Sequence, residues 1–422
     1  MPDPIAAASL FSGSPAWVLL DSFGSFGDRR NHTTATGLTS ARHPIKVSFE
    51  LVAPPGVSGW FVHCPSLKKK RGFNGQPYIL NAAGPLVVMR MAFFRPGGSM
   101  FDYFVYRAGP GKPSLDLIPG PCPSVGFRKG VGILPSGAGE HYYVVFPVPR
   151  LNPRTMFQIQ VFSSENQAWS TKVARISVDP ETTYDEVVMH HPSKAIASGG
   201  SPLAWIDLWR GILLCDQLDK EEPVLRLIKW PVPSPRSDIM DLYAADASRD
   251  ATLSNGVIRF VEMEFHDEGD AMDIGWTATV WKTTFGSNDW NECFKADIAE
   301  ILAAHSSSSD LLHNLWDDKS NKLDLNKVSS APPTLSLTNE EVIYFMANLV
   351  SDEAMLLAVN AREKSLEAAR QTSSDLPCTP CSFSSFLDAY PGADMAGQSE
   401  DIKRVWSLLC SMLCQYGWLE TN

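Results

Sequence analysis

The sequence predicts an all-β protein: a β-propeller-like repeat of short antiparallel sheets, about five or six blades, with a C-terminal amphipathic helix. Three observations carry this reading. Short apolar runs recur along most of the 422 residues, and several alternate with polar residues at the period of a half-buried strand. The 31 prolines and 29 glycines are widely spread while only 20% of residues are charged, a balance that favours turns over long surface helices. Trp169, Trp230 and Trp290 each stand beside a polar break between strand-like runs. Their spacing of roughly 60 residues fits blades with long loops, the rings packing between neighbours. The blade at the closure point would be shared by both chain ends. A pair of β-sandwich domains also produces short strands at regular intervals, and is the alternative.

The elements follow in order. Residues 17–21 form a short apolar run, then 23–36 a loop. Residues 45–51 and 59–64 make a hairpin around Pro54-Pro55-Gly56. Residues 85–94 and 101–107 flank a Pro-Gly-Gly turn, and 114–119 adds an edge strand. Residues 130–134 and 141–147 form the next hairpin; 156–162 and 169–173 continue it. A polar stretch over 179–200 precedes the central unit, Trp205-Ile-Asp-Leu-Trp-Arg-Gly-Ile-Leu-Leu-Cys-Asp216. Its apolar run at 212–215 pairs with 224–230 across a charged turn. Residues 256–265 and 275–281 form another pair, 306–330 a polar loop, and 341–349 with 354–360 the last pair. Residues 363–370 read as a short helix or a strand tail. From Ser399, an N-cap residue, apolar side chains at Ile402, Val405, Trp406, Leu409, Met412 and Leu413 mark one helix face. The domain reading is a disordered N-terminus (1–16), a propeller-like domain (17–370), a linker (371–398) and a C-terminal helix (399–422).

The net charge of −11 argues against nucleic acid as a partner, because phosphate binding needs clustered Lys and Arg. The one such cluster, Lys68–Arg71, lies beside Gly72 and Gly75 and reads as a solvated loop, with a nuclear-localisation patch as the alternative. No apolar run is long enough to span a membrane, and Met1–Pro15 lacks the positive segment of a secretory signal. The expected location is therefore cytoplasmic and/or nuclear, with the cysteines reduced. Cys64, Cys215 and Cys293 read as core residues.

Several segments together carry a family resemblance. They are Trp17–Asp21 with Asp28–Asn31, Phe61–Pro65, Asp102–Arg107 with Pro113–Pro119, Trp205–Asp216, Gly256–Glu262 and Trp276–Trp281. The chain resembles, over roughly residues 16 to 370, the grass-expanded plant family that carries domain of unknown function 1618, with 202–370 containing that domain. The resemblance implies a fold related to the β-propellers attached to plant F-box proteins. No catalytic residues are established for that family, so it implies none here. An N-terminal F-box-like helical segment is not seen, so a ubiquitin-ligase adaptor role is not expected.

No stretch supplies a recognisable catalytic pattern. Cys378, Cys381, Cys410 and Cys414 are the best set for a tetrahedral zinc site, but incidental or core thiols are the expected reading. His190 and His191 would face opposite ways in an extended, exposed loop. The acidic turn with Glu262, Glu264, Asp267, Glu268, Asp270 and Asp273 lacks calcium-loop spacing. Gly109–Lys112 lacks phosphate-loop spacing, and Gly97–Ser99 and Gly199–Ser201 are turns. No catalytic, cofactor-binding or metal residue is assigned, and no cofactor is expected. The expectation is a non-enzymatic protein-binding module, its tail helix docking on a partner or on the propeller itself. The alternative is a propeller-type hydrolase, with Asp207, Asp216, Asp241 and Glu262 lining the channel mouth.

Overall fold

The computed structural model describes residues 14–67, 72–95, 98–109, 111–120, 130–136, 140–149, 156–177, 184–197, 203–215, 217–233, 245–254, 256–267, 274–285, 287–297, 300–301, 316–317, 322–323, 328–349, 351, 353–372 and 378–387. The tail helix therefore lies outside the described residues, as do the Lys68–Arg71 cluster, Asp216, Asp241, Cys410 and Cys414.

Six blade-like units follow one another along the chain, the third and fourth joined edge to edge in one eight-stranded sheet. The first contains β1 (Val18–Leu20), β2 (Ser25–Phe26), β3 (Ala35–Leu38), β4 (Pro44–Glu50) and β5 (Val57–His63). Here β3, β4 and β5 form an antiparallel meander, and β1 and β2 lie parallel to β5. The second is the meander β6 (Tyr78–Ala83), β7 (Leu86–Arg95), β8 (Gly98–Arg107) and β9 (Ser114–Ile118). The third is β10 (Gly132–Ser136), β11 (His141–Pro149), β12 (Met156–Ser163) and β13 (Ala168–Ser177). A short helix α1 (Tyr184–Val188) leads to the fourth: β14 (Lys194–Ala197), β15 (Leu203–Asp207), β16 (Gly211–Cys215) and β17 (Val224–Ile228). After α2 (Ala245–Ser248) comes the fifth: β18 (Arg249–Ser254), β19 (Val257–Asp267), β20 (Ile274–Thr284) and β21 (Asn291–Asp297). A ribbon of β22 (Trp316–Asp317) and β23 (Lys322–Leu323) precedes the sixth: β24 (Val328–Ser330), β25 (Pro333–Leu335), β26 (Val342–Leu349), β27 (Ala354–Asn360) and β28 (Ser365–Thr372). Finally β29 (Thr379–Cys381) pairs antiparallel with β1 and completes the first sheet.

The packing explains why these sheets form a ring. A sheet with two apolar faces must bury both. Six hydrophobic clusters do this, each shared by two successive units. Phe49, Trp60, Met89 and Phe104 lie between the first and second. Val88, Tyr103, Val144 and Phe162 lie between the second and third. Ile159, Val161, Trp205 and Leu213 join the third and fourth. Ile212, Trp230 and Phe260 join the fourth and fifth. Trp276, Val280, Phe345 and Leu357 join the fifth and sixth. Trp17, Leu19, Tyr344 and Leu356 join the sixth back to the first. The fold is thus propeller-like, with six blades and both ends of the described chain in the closing blade. The outer strands of the third and fourth blades also pair, β13 parallel to β17, over Arg175–Ser177 and Val224–Arg226.

Two of the three tryptophans behave as equivalent staples. Trp169 Nε1 donates to Pro119 O at 2.6 Å, and Trp290 Nε1 donates to Lys229 O at 2.9 Å; each ties its blade to the preceding one. Trp230 is not a third member of that set. It stacks on Phe260 at 4.3 Å and meets Trp290 at 5.6 Å, within one interface.

Of the two readings of residues 363–370, the strand is the one found, in and beside β28. Other expectations are corrected. The stretch read as a linker contains β29 and a 3-10 turn, Phe383–Phe386, whose first ring is buried between the first two blades. The loop read over 23–36 contains β2 and the start of β3, and the polar stretch over 179–200 contains α1 and β14. Cys64 and Cys215 are buried, but Cys293 is only half-buried on the outer strand of the fifth blade.

Candidate functional site

The first strands of the blades meet around the axis. β10 touches β6 and β14, β14 touches β18, β18 touches β25, and β29 touches β6. They enclose a central cavity of about 280 Å³, lined from β6, β14, β18, β25 and β29 and their flanks. Its charged lining residues are Lys194, Asp246, Arg249 and Asp250.

Asp250 ties three blades together. Its side chain accepts from Lys194 Nζ of the fourth blade, and its Oδ2 accepts from Leu335 N of the sixth at 2.8 Å. Arg249 is 3% exposed and points into the protein. It forms an ion pair with Glu262, donates through Nη1 to Leu208 O at 3.2 Å and through Nη2 to Pro233 O at 3.2 Å. Its guanidinium also lies 4.5 Å from the Trp209 ring centroid. Burial lowers its pKa, and the Glu262 carboxylate beside it opposes that shift.

The central motif of the sequence builds the turn that abuts this cation. Asp207, 2% exposed, accepts from Trp209 N at 2.9 Å and Arg210 N at 3.1 Å through Oδ1, and from His191 N at 2.8 Å through Oδ2. That is the chemistry of an aspartate closing a turn on its own backbone. Trp230 Nε1 donates to Asp207 O at 2.8 Å. Asp207 and Glu262 are therefore engaged within the fold and do not line the cavity.

His190 is buried, not exposed, and its Nε2 lies 3.1 Å from Gly211 O. His191 is exposed beside it. Burial holds the His190 pKa below its ordinary 6.5, against the attraction of Asp207 and alongside the repulsion of Arg210. A histidine held neutral stabilises the fold fully above pH 6.5, and that contribution is lost as pH falls. His190→Gln is expected to flatten the fall in melting temperature between about pH 6.5 and 5. An unchanged slope would exclude His190 as its source.

Cys378 belongs to the cluster between the sixth and first blades, and Cys381 to the one between the first and second. Burial pushes both thiols up, which disfavours the thiolate that zinc binding or nucleophilic attack requires. Among the described residues no three His, Cys, Asp or Glu side chains are grouped to hold a metal. Among them also, no helix is long and apolar enough to cross a membrane. Sequence reasoning missed Lys194, Asp246, Arg249, Asp250, Thr252 and Thr334. The one available signal was the adjacent Arg249-Asp250 pair opening the short alternating stretch Ala251-Thr-Leu-Ser254.

Comparison with solved structures finds low-identity likenesses. The β-propeller domain of the Trilobed protease from Pyrococcus furiosus is 9% identical, covers 71% of this chain and 99% of its own, and has a TM-score of 0.27. The periplasmic gluconolactonase PpgL of Pseudomonas aeruginosa is 8% identical, covers 83% and 88%, and has a TM-score of 0.31. The NanB sialidase from Streptococcus pneumoniae is 8% identical, covers 86% and 55%, and has a TM-score of 0.24. No curated protein matches the chain. The six-bladed assignment rests on the chain's own sheets and cores. At the level of sequence families, residues 205–344, which include the Asp207 turn and the Arg249–Glu262 pair, match the family described as "Protein of unknown function (DUF1618)".

Proposed function

We propose that this chain is a non-enzymatic protein-binding module acting in the cytoplasm and/or nucleus of a plant cell. One contrast carries the reading. The charges around the axis are engaged within the fold, Lys194 with Asp250 and Arg249 with Glu262, whereas two large rings stand exposed on the outside. Phe94 and Phe101, 55% and 46% exposed, lie on the β7–β8 hairpin, with the Arg90 guanidinium 5.2 Å from the Phe101 ring centroid. Aromatic and arginine side chains held this way are typical of binding hot spots. The reducing location is supported by the free thiols of Cys64, Cys215, Cys293, Cys378 and Cys381. The plant setting is supported by the sequence resemblance.

The double variant Phe94→Ser/Phe101→Ser is expected to fold with stability within about 0.5 kcal/mol of the parent, as surface changes do. It should weaken a captured partner by at least about tenfold. Equal recovery of every partner by parent and variant would remove this hairpin from the interface. Deleting residues 399–422 in the same assay tests the tail: unchanged partners would end its docking role.

A further inference from the structure

We propose that the central cavity binds one small, uncharged, polyhydroxylated molecule. Its volume of about 280 Å³ is at the low end for ligand pockets and suits a compound of roughly a dozen heavy atoms, or a cluster of waters. The wall sets the chemistry. Of the charged lining residues, Lys194 is paired to Asp250 and Arg249 to Glu262, and Asp246 is not free either. An ionic ligand would have to break one of these pairs, at the cost of stranding a buried charge.

What remains is hydroxyl groups. Thr252 and Thr334, 5% and 6% exposed, line the cavity from β18 and β25. Those strands are held together by the Asp250 to Leu335 N bond. Neither threonine side chain has a hydrogen bond among the described residues. Thr379 and Ser382 continue the polar wall from the closing blade, and Ala195 and Pro333 place aliphatic surface between. Hydroxyls that open onto a cavity and have no partner among the described residues are met by water or by a ligand that enters it. A carbon skeleton carrying alternate hydroxyl and C–H groups supplies donors and acceptors, and meets the aliphatic surface as well.

The test is calorimetric titration of the full chain with myo-inositol and D-glucose, with citrate and spermidine as charged comparators. The expected result is saturable binding of at least one polyol with Kd near or below about 1 mM. That binding should weaken at least about tenfold in Thr252→Val/Thr334→Val, which keeps side-chain shape and removes the hydroxyls. A melting curve shows whether this variant folds; if it does not, either single change serves, with the same expectation. Absence of saturable heat with both polyols overturns the proposal. So does binding unaffected by the threonine changes, or binding confined to citrate and lost in Lys194→Met. Phe94→Ser/Phe101→Ser should bind the polyol as the parent does, so failure here is distinct from failure of the protein-binding reading.

Discussion

Gly211→Ala is expected to destabilise the protein by roughly 4 kcal/mol, read as a lower urea midpoint with little change in slope. Two effects add. Gly211 has φ of +127°, a backbone that L side chains rarely adopt. A Cβ built there would lie 2.2 Å from Ile228 O, and that oxygen belongs to the backbone of the paired strand β17, so it cannot swing away. The carbonyl of Gly211 also faces the His190 ring, so a shifted backbone would disturb a second buried contact. Gly75→Ala is the control: φ is +98°, but nothing lies within 4 Å of the added carbon. It should cost about 1 kcal/mol. Equal losses at the two positions would show that strain, not the close approach of β17, decides the effect.

Arg249→Ala is expected to cost about 3–5 kcal/mol, because it removes a buried cation and strands the Glu262 carboxylate. The same change takes a donor from Leu208 O and Pro233 O and uncovers the Trp209 ring. The double variant Arg249→Ala/Glu262→Ala should lose less than the sum of the singles, with a coupling of about 1–3 kcal/mol. A single-variant loss below about 1 kcal/mol, or strict additivity, would show that the pair contributes little beyond packing.

The strands that the sequence made readable are the ones with apolar faces against a neighbouring blade. β4, β5, β7, β8, β12, β19, β26 and β27 all carry such a face and lie close to where the apolar pattern placed them. The strands it hid are mostly those on the axis: β6, β14, β18, β25 and β29. They are short and carry Asn81, Lys194, Arg249, Asp250, Thr252, Thr334 and Thr379 toward or beside a cavity of mixed polar and apolar lining. A strand of three to six residues is too short to show a clear period-two pattern. For that reason the cavity residues went unnoticed while the blades did not. The reading of 371–398 failed in the same way. Three residues of β29 are too few to show a period, and their role lies in pairing with β1, far away in sequence. Asp207 was singled out correctly, but for the wrong work. Its spacing to Trp209 and Arg210 is that of an aspartate bonding its own turn, a local device and not the channel carboxylate that the alternative hydrolase reading would need.

The ring geometry also governs how this chain can be divided for experiment. Residues 205–344 start inside β15 and stop inside β26, so a fragment cut at those borders would begin and end partway through a sheet. It would keep the fifth blade whole but expose torn edges of the fourth and sixth, with rows of unpaired amides prone to self-association. A soluble recombinant piece should instead carry every residue from β1 to β29, because no smaller arc covers its own flanks.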